Sequence, residues 1–289
     1  MTEGLVVRTF VSALATVLAV LLAAVAVPAI WLDRNVVQED GFVALAAPLG
    51  TNSDFQQNLA AAAVGTIDTS AVPGFLSDLV QPVLEDVAAS LTALPEYPQA
   101  WEESLRKSHR LSFAESGTEA GGAGSTSSLT LDVAPLVALG AREISRATGL
   151  PLDPPGETLI NVGQPEHKEW TERLRTYAPA GYLLAAGSAI ALLLALVAAR
   201  RRWAVLTGAG VGALLLAALW ALGSQSASAA VSATDTGNEV ANMFRNEFVA
   251  ASAADFQAWI LASAGIGAVL LVLGIVAGMV AGKRRRATR

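Results

Sequence analysis

Apolar residues are arranged along this chain in two ways. From Phe10 to Leu32, Ala178 to Ala199, Trp203 to Leu222 and Phe256 to Gly282 they run on with no charged residue among them. Each run reaches the roughly 20 residues that a helix needs to cross about 30 Å of hydrocarbon. Four transmembrane helices are therefore predicted, at 10–32, 178–199, 203–222 and 256–282. Between the first and second runs, apolar residues instead recur among polar neighbours, as they do on the buried faces of elements in water. Residues 33–177 are predicted to form a separate domain of mixed helix and small sheet.

Within that domain the period changes along the chain. Ser53 with Gln56 reads as a capping box, and Phe55, Leu59, Ala63 and Ile67 follow at helical spacing. Phe75 to Leu94 is amphipathic, with Pro82 as a kink or restart. A further helix is predicted from Pro98, with Glu102–Arg106 and Glu103–Lys107 as stabilising i,i+4 pairs. Arg110–Phe113, Ser128–Val133 and Thr158–Val162 then alternate apolar with polar. They predict a sheet of two or three strands, Leu111–Phe113, Leu129–Val133 and Thr158–Val162. Ser116 to Ser128, rich in Gly, Ser, Thr and Ala, is predicted to be a mobile loop. Pro135 to Gly149 should be a helix ended by its glycine. Pro165 to Tyr177 should be another, running into the second span with a bend at Pro179. Val240, Phe244, Phe248 and Ala251 mark an amphipathic helix in the 223–255 segment before the last span.

Charge adds an orientation. Residues 33–175 carry a formal −11 and residues 223–255 carry −3, whereas the N-terminus (1–9), the turn Arg200-Arg201-Arg202 and the tail 283–289 together carry +8. Basic residues collect on the cytoplasmic side of membranes. The arginine turn and the basic tail are separated by two spans and so share that side; four spans then place the N-terminus there too. The 33–177 domain and the 223–255 loop are expected to be extracytoplasmic, in a plasma-membrane protein with both termini inside. The net acidic outer face argues against nucleic-acid binding. Ala24-Val25-Ala26 resembles a signal-peptide cleavage site, but the uncharged stretch is long for one, and an uncleaved anchor is expected. The chain has no cysteine, which excludes disulfides and thiol chemistry.

The search for chemistry is mostly negative. HExxH, GxSxG and GxxxxGK[ST] are absent, and His109 and His167 each lack a second nitrogen ligand at metal spacing. No catalytic, cofactor or metal site is assigned. The spans hold no ionisable residue at the midplane, where coupled transporters place theirs; their polar groups are residues such as Thr16, Ser188, Thr207 and Ser263. Small residues recur at four-residue spacing in Gly208 and Gly212, and in Gly274, Gly278 and Gly282, which permits close helix approach. The most distinctive polar cluster is Trp101 to Arg110, WEESLRKSHR. On a helix it places Trp101, Leu105 and His109 in one stripe with Arg106 and Arg110 beside it. It reads either as a binding face or as an anchoring Trp, a partly buried His and a solvated basic edge. Trp101, His109, Arg110, Phe244 and Phe248 are the candidate partner contacts.

Several segments in order resemble a family of uncharacterised actinobacterial integral membrane proteins. These are the first span with LDRNVVQEDGFVALAAPL, then DFQQNLAAAAV, WEESLRKSH, SLTLDVAPLVALGA, and the second and third spans joined by the arginine turn. The helix in that family more often reads W-x-x-x-N-R-x-x-H, from which Leu105 and Ser108 depart. The resemblance implies four spans with an extracytoplasmic domain after the first, and no activity.

The expectation for function is accordingly non-catalytic. It is an integral membrane protein of the cell envelope, in contact with the lipid bilayer. Its outer domain would associate with a membrane or envelope protein, or with a second copy of the chain, in an accessory or scaffold role. A receptor-like ligand-binding protein and a small-solute transporter or channel are the alternatives.

Overall fold

The computed structural model describes residues 3–57, 90–113, 130–149, 153, 156–161, 167–235, 237 and 239–287, and helix accounts for most of them. Among the described residues four helices are long and apolar enough to cross a membrane: Val7–Val37, Glu172–Ala198, Arg202–Ser232 and Ala241–Lys283. That pattern is consistent with a multi-pass membrane protein. The chain divides into two units, residues 1–33, 176–228 and 253–289 in the first and residues 34–175 and 229–252 in the second.

In the first unit, α1 (Glu3–Leu32) packs against the helix Ala180–Ala198. Ser12 donates to the carbonyl of Ala195 at 3.0 Å and Ser188 to that of Ala19 at 2.8 Å. A Cβ at Gly181 would lie 2.9 Å from both the Ala29 Cβ and the Ile30 nitrogen, so glycine permits this approach. The helix Arg202–Ser232 lies on α1 as well. Pro28, inside α1, has no N–H to give the Ala24 carbonyl, and Trp220 Nε1 donates to that oxygen at 3.1 Å. A backbone acceptor freed in an apolar helix thus finds a partner on its neighbour, as a lipid environment requires. Trp31 is buried; its Nε1 donates to Asp255 at 2.6 Å and its ring meets Phe256 edge-on at 5.3 Å.

The small residues divide the work between two faces. On the Arg202–Ser232 helix, Gly212 faces Val20 so closely that a Cβ would lie 2.6 Å away, while Gly208 has room, with Thr16 at 3.7 Å. On its other face, a Cβ at Gly210 would meet the Leu271 nitrogen at 2.5 Å and the Gly267 oxygen at 2.7 Å. Gly274 sits against Thr207, and Gly278 against the Trp203 ring at 3.2 Å. Gly282, by contrast, opens onto space.

The second unit begins with a π-helical turn, Asp33–Val37, which also takes in the last residue of the first unit. Then come α2 (Glu39–Ala46) and a 3-10 turn, Ala47–Thr51. Residues 53–57 are helical, but the cap is Asn52 rather than Ser53, its Oδ1 accepting from the Phe55 N–H at 3.1 Å. Gln56 does not close a capping box; it donates to the Leu49 carbonyl at 2.7 Å and accepts from the Tyr97 hydroxyl. The rest of that helix, most of the amphipathic 75–94 segment and the 116–128 loop lie outside the described residues.

The helix α3 (Tyr97–Phe113) starts one residue before Pro98 and runs through Leu111–Phe113, which corrects the expected first strand. Ser112, placed in that strand by alternation, instead accepts from the Thr130 N–H at 3.3 Å from the helix. β1 (Thr130–Asp132) and β2 (Leu159–Asn161) pair antiparallel, Leu131 opposite Ile160. Three residues per strand make a ribbon on an otherwise helical unit, far less sheet than an α+β domain implies. Between them α4 (Ala134–Thr148) ends at Gly149 with φ 72°, the left-handed cap its sequence announces. After β2, α5 (His167–Tyr177) stops at a turn, so the expected bend at Pro179 is a break before α6 (Ala180–Ala198). The remaining helices, α7 (Arg202–Ser232) and α8 (Glu239–Ala287), contribute residues to both units.

Candidate functional site

The five residues singled out from the sequence all lie in the second unit, and four of them belong to one ladder of rings. Phe55 meets Trp101 at a centroid distance of 6.0 Å, Trp101 meets Phe244 at 6.2 Å, and Phe244 stacks on Phe248 at 5.9 Å. The ladder continues from Phe248 to Phe42 at 5.2 Å, from Phe42 to His109 at 5.2 Å, and ends on Phe113 at 4.5 Å. Helical spacing on α3 supplies three of its seven rings, since Trp101, Leu105, His109 and Phe113 each stand four residues apart. The two rings of α8 are likewise four apart. Phe42, Phe55 and Phe113 were not among the candidate contacts read from the sequence. Phe113 could have been, because it continues the stripe by one more turn.

Burial decides what the ladder is. Trp101 and Leu105 are fully buried, at 0%, and Tyr97, Val43, Ala46, Leu49 and Phe244 complete the same core. Trp101 Nε1 donates to the Ala46 carbonyl at 3.1 Å, and Gly50 lets the indole approach, since a Cβ there would collide with its ring. A side chain so enclosed anchors the folded unit. Phe248 is half-buried. Arg110 alone of the five is exposed, and it pairs with Glu39 at 3.6 Å. Arg106, expected to pair along its own helix, reaches across to Asp40 at 3.2 Å and Glu39 at 3.5 Å.

His109 is buried to 5%. Its Nε2 lies 3.0 Å from the Val36 oxygen, and because a carbonyl only accepts, that nitrogen carries the proton. Burial lowers the imidazole pKa, against the opposing pull of that hydrogen bond and of Glu39. Burial also pushes the Tyr97 phenol well up. Burial favours the neutral form of each, and each N–H or O–H is committed to a hydrogen bond, so neither is left as a free acid or base.

Two further buried polar side chains, Ser108 and Asp132, are committed in the same way. Ser108 donates to the Ser104 carbonyl and accepts from the Asp132 N–H at 2.8 Å. Asp132, 2% exposed, accepts from the N–H groups of Ala134 at 2.9 Å and Thr158 at 3.1 Å. It thereby joins β1, the start of α4 and the residue before β2. The hydroxyls of Ser104 and Thr158 are buried with no partner among the described residues. Among the described residues no three His, Cys, Asp or Glu side chains stand close enough to hold a metal. The side chain of His167 and all of Glu166 lie outside the described residues. No protein-family model matches the chain, and no curated protein or solved structure is significantly similar to it.

Proposed function

We propose that this is a non-catalytic envelope protein in which the second unit, helical with its small ribbon, lies outside the cytoplasm and acts by association. The partner is another membrane or envelope protein, or a second copy of the chain. The observation that carries the reading is the use made of buried polar groups. Gln56, Tyr97, Trp101, Ser108, His109 and Asp132 all point their hydrogen bonds at backbone or at one another, holding helices and ribbon together. What the unit offers to other molecules is its charged exterior, including Glu103, Arg110 and Arg146. The orientation is supported by the partition of charge, −11 in residues 33–175 against +8 in the termini and arginine turn.

Because the chain has no native cysteine, both parts can be tested with single substitutions. Glu103→Cys on intact cells should react with a membrane-impermeant maleimide, and Ala287→Cys should react only after lysis. The reverse pattern overturns the orientation. A photocrosslinker at Glu103 or Arg146 should then give one reproducible adduct with an envelope protein or a second copy. A chain that stays a lone monomer, and whose proteoliposomes pass small solutes, would overturn the association reading in favour of transport.

A further inference from the structure

Within the first unit, a groove of about 1410 Å³ lies along α1 and α7. From α1 it takes residues from Thr9 to Leu21, and from α7 residues from Trp203 to Leu215. Twelve residues of helix rise about 18 Å on each side. That is close to half of the roughly 30 Å hydrocarbon thickness, the depth of one leaflet. Its walls are apolar and open: Phe10 is 67% exposed, Val17 55% and Leu215 61%. The Ser12 hydroxyl in its lining is already spent on the Ala195 carbonyl.

One end is different. The lining there is Arg200 and Arg201, both exposed, and no described residue pairs with either guanidinium. Among the described residues no acidic side chain lines the groove. The first turn of α7 begins at the same place, with Ala204 N–H donating to the Arg201 carbonyl, so the positive end of a 31-residue helix faces the same region. An apolar trough one leaflet deep, closed at one end by two arginines that no described residue pairs and by a helix N-terminus, matches the two halves of a single amphiphile. We infer that the α1–α7 groove is a binding site for an anionic phospholipid, one acyl chain lying along Val17 and Leu215 and the phosphate on Arg200 and Arg201. The inference needs only that the four helices lie in a bilayer, so it is independent of which side the second unit occupies.

Purified protein would be equilibrated with phosphatidylglycerol and phosphatidylcholine in detergent, and retained lipid read by native mass spectrometry. We expect a preference of roughly tenfold for phosphatidylglycerol, which two arginines near the surface can supply. Arg200→Ala with Arg201→Ala should abolish the preference, and Val17→Trp, which fills the trough, should abolish retention. Arg284→Ala with Arg285→Ala, in the tail, should change neither. Leu21→Trp, 59% exposed in the same trough, is the second filling variant should Val17→Trp fail to fold. Excess inorganic phosphate should not displace the lipid. If the preference persists in the filled variants, or vanishes equally with the tail substitution, lipid is gathered by surface charge alone and the site is refuted. Equal retention of both lipids by the unaltered protein would refute it as well.

Discussion

The two units bring helices together by opposite means. Among the apolar helices, contact is made by removing side chains: Gly210, Gly267 and Gly274 let backbones approach to distances no Cβ would tolerate. In the polar unit, contact is made by adding rings, six of them phenyl or indole, with His109 as the seventh. The difference follows from solvent. In water, burying a large ring is itself a driving force, of about 25 cal/mol per Å² of apolar surface. In lipid that force between helices is absent, so close van der Waals packing and backbone hydrogen bonds must serve instead. The same chain therefore uses glycine to bind helices in one unit and tryptophan in the other.

If that contrast is right, the most damaging single change is a deletion in the ring core. Trp101→Ala removes the most enclosed side chain and its hydrogen bond to the Ala46 carbonyl. We expect a loss of about 3–5 kcal/mol in the stability of the polar unit, read as early proteolysis of residues 34–175 and loss of the near-ultraviolet signal. The apolar helices should remain assembled in detergent. Unfolding of the whole chain as one transition would break the distinction between the units.

The corresponding change among the apolar helices is an addition. Gly210→Leu puts a Cβ onto the backbone of Leu271 and Gly267. Backbone cannot yield as a flexible side chain can, and overpacking of this kind costs about 1–3 kcal/mol, occasionally more. Thermal stability of the detergent-solubilised protein should fall, whereas Gly265→Leu, facing open space, should leave it unchanged. Equal effects at the two glycines would show that helix propensity rather than close approach is being measured.

These two residues also mark what the sequence makes legible. The four apolar helices could be read from length and hydropathy alone, because a bilayer imposes both. Of the glycines at the tightest approach, the four-residue spacing picks out Gly212 and Gly274 but not Gly210 and Gly267. It also selects Gly208 and Gly282, which face room, because which side of a helix meets which neighbour depends on its crossing geometry. In the polar unit the Trp101 stripe and the Gly149 cap were written in local spacing. The fate of the stripe was not, since burial comes from α2 and from Phe244, far along the chain. Alternation misled at Leu111–Phe113 because four residues satisfy a period of two by chance, while α3 was already running and Phe113 extended its His109 stripe.

His109 sharpens the comparison through pH, since it is the one buried group of the ladder that titrates near neutrality. Its folded pKa lies below the ordinary 6.5, so the unfolded chain takes up a proton first as pH falls. The sign is then fixed. Its contribution is fully present above that value and is lost as pH drops through and below it. We expect the polar unit to melt earlier at pH 5.5 than at pH 7.5, and His109→Gln to flatten that part of the profile while leaving the apolar helices indifferent. An unchanged slope in the variant would show that the pH response does not come from His109.

The smallest expected effect tests the other half of the contrast. Ser12 and Ser188 each donate from one apolar helix to a carbonyl of the other, at 3.0 Å and 2.8 Å. Each carbonyl also lies within a continuous helix, where its own ladder bond persists without the serine; Ala195 accepts from the Ala199 N–H at 2.9 Å. Removing the hydroxyl therefore leaves no orphaned acceptor, unlike the loss of Trp220, whose partner Ala24 has been deprived of its bond by Pro28. Ser12→Ala and Ser188→Ala should each cost only about 0.6 kcal/mol, while Trp220→Phe, which keeps the ring and removes the donor, should cost about 1–3 kcal/mol. Unfolding of the three variants in mild detergent, compared side by side, would separate the cases. If all three fall together, the proline-freed carbonyl has no special need, and close packing alone holds these helices.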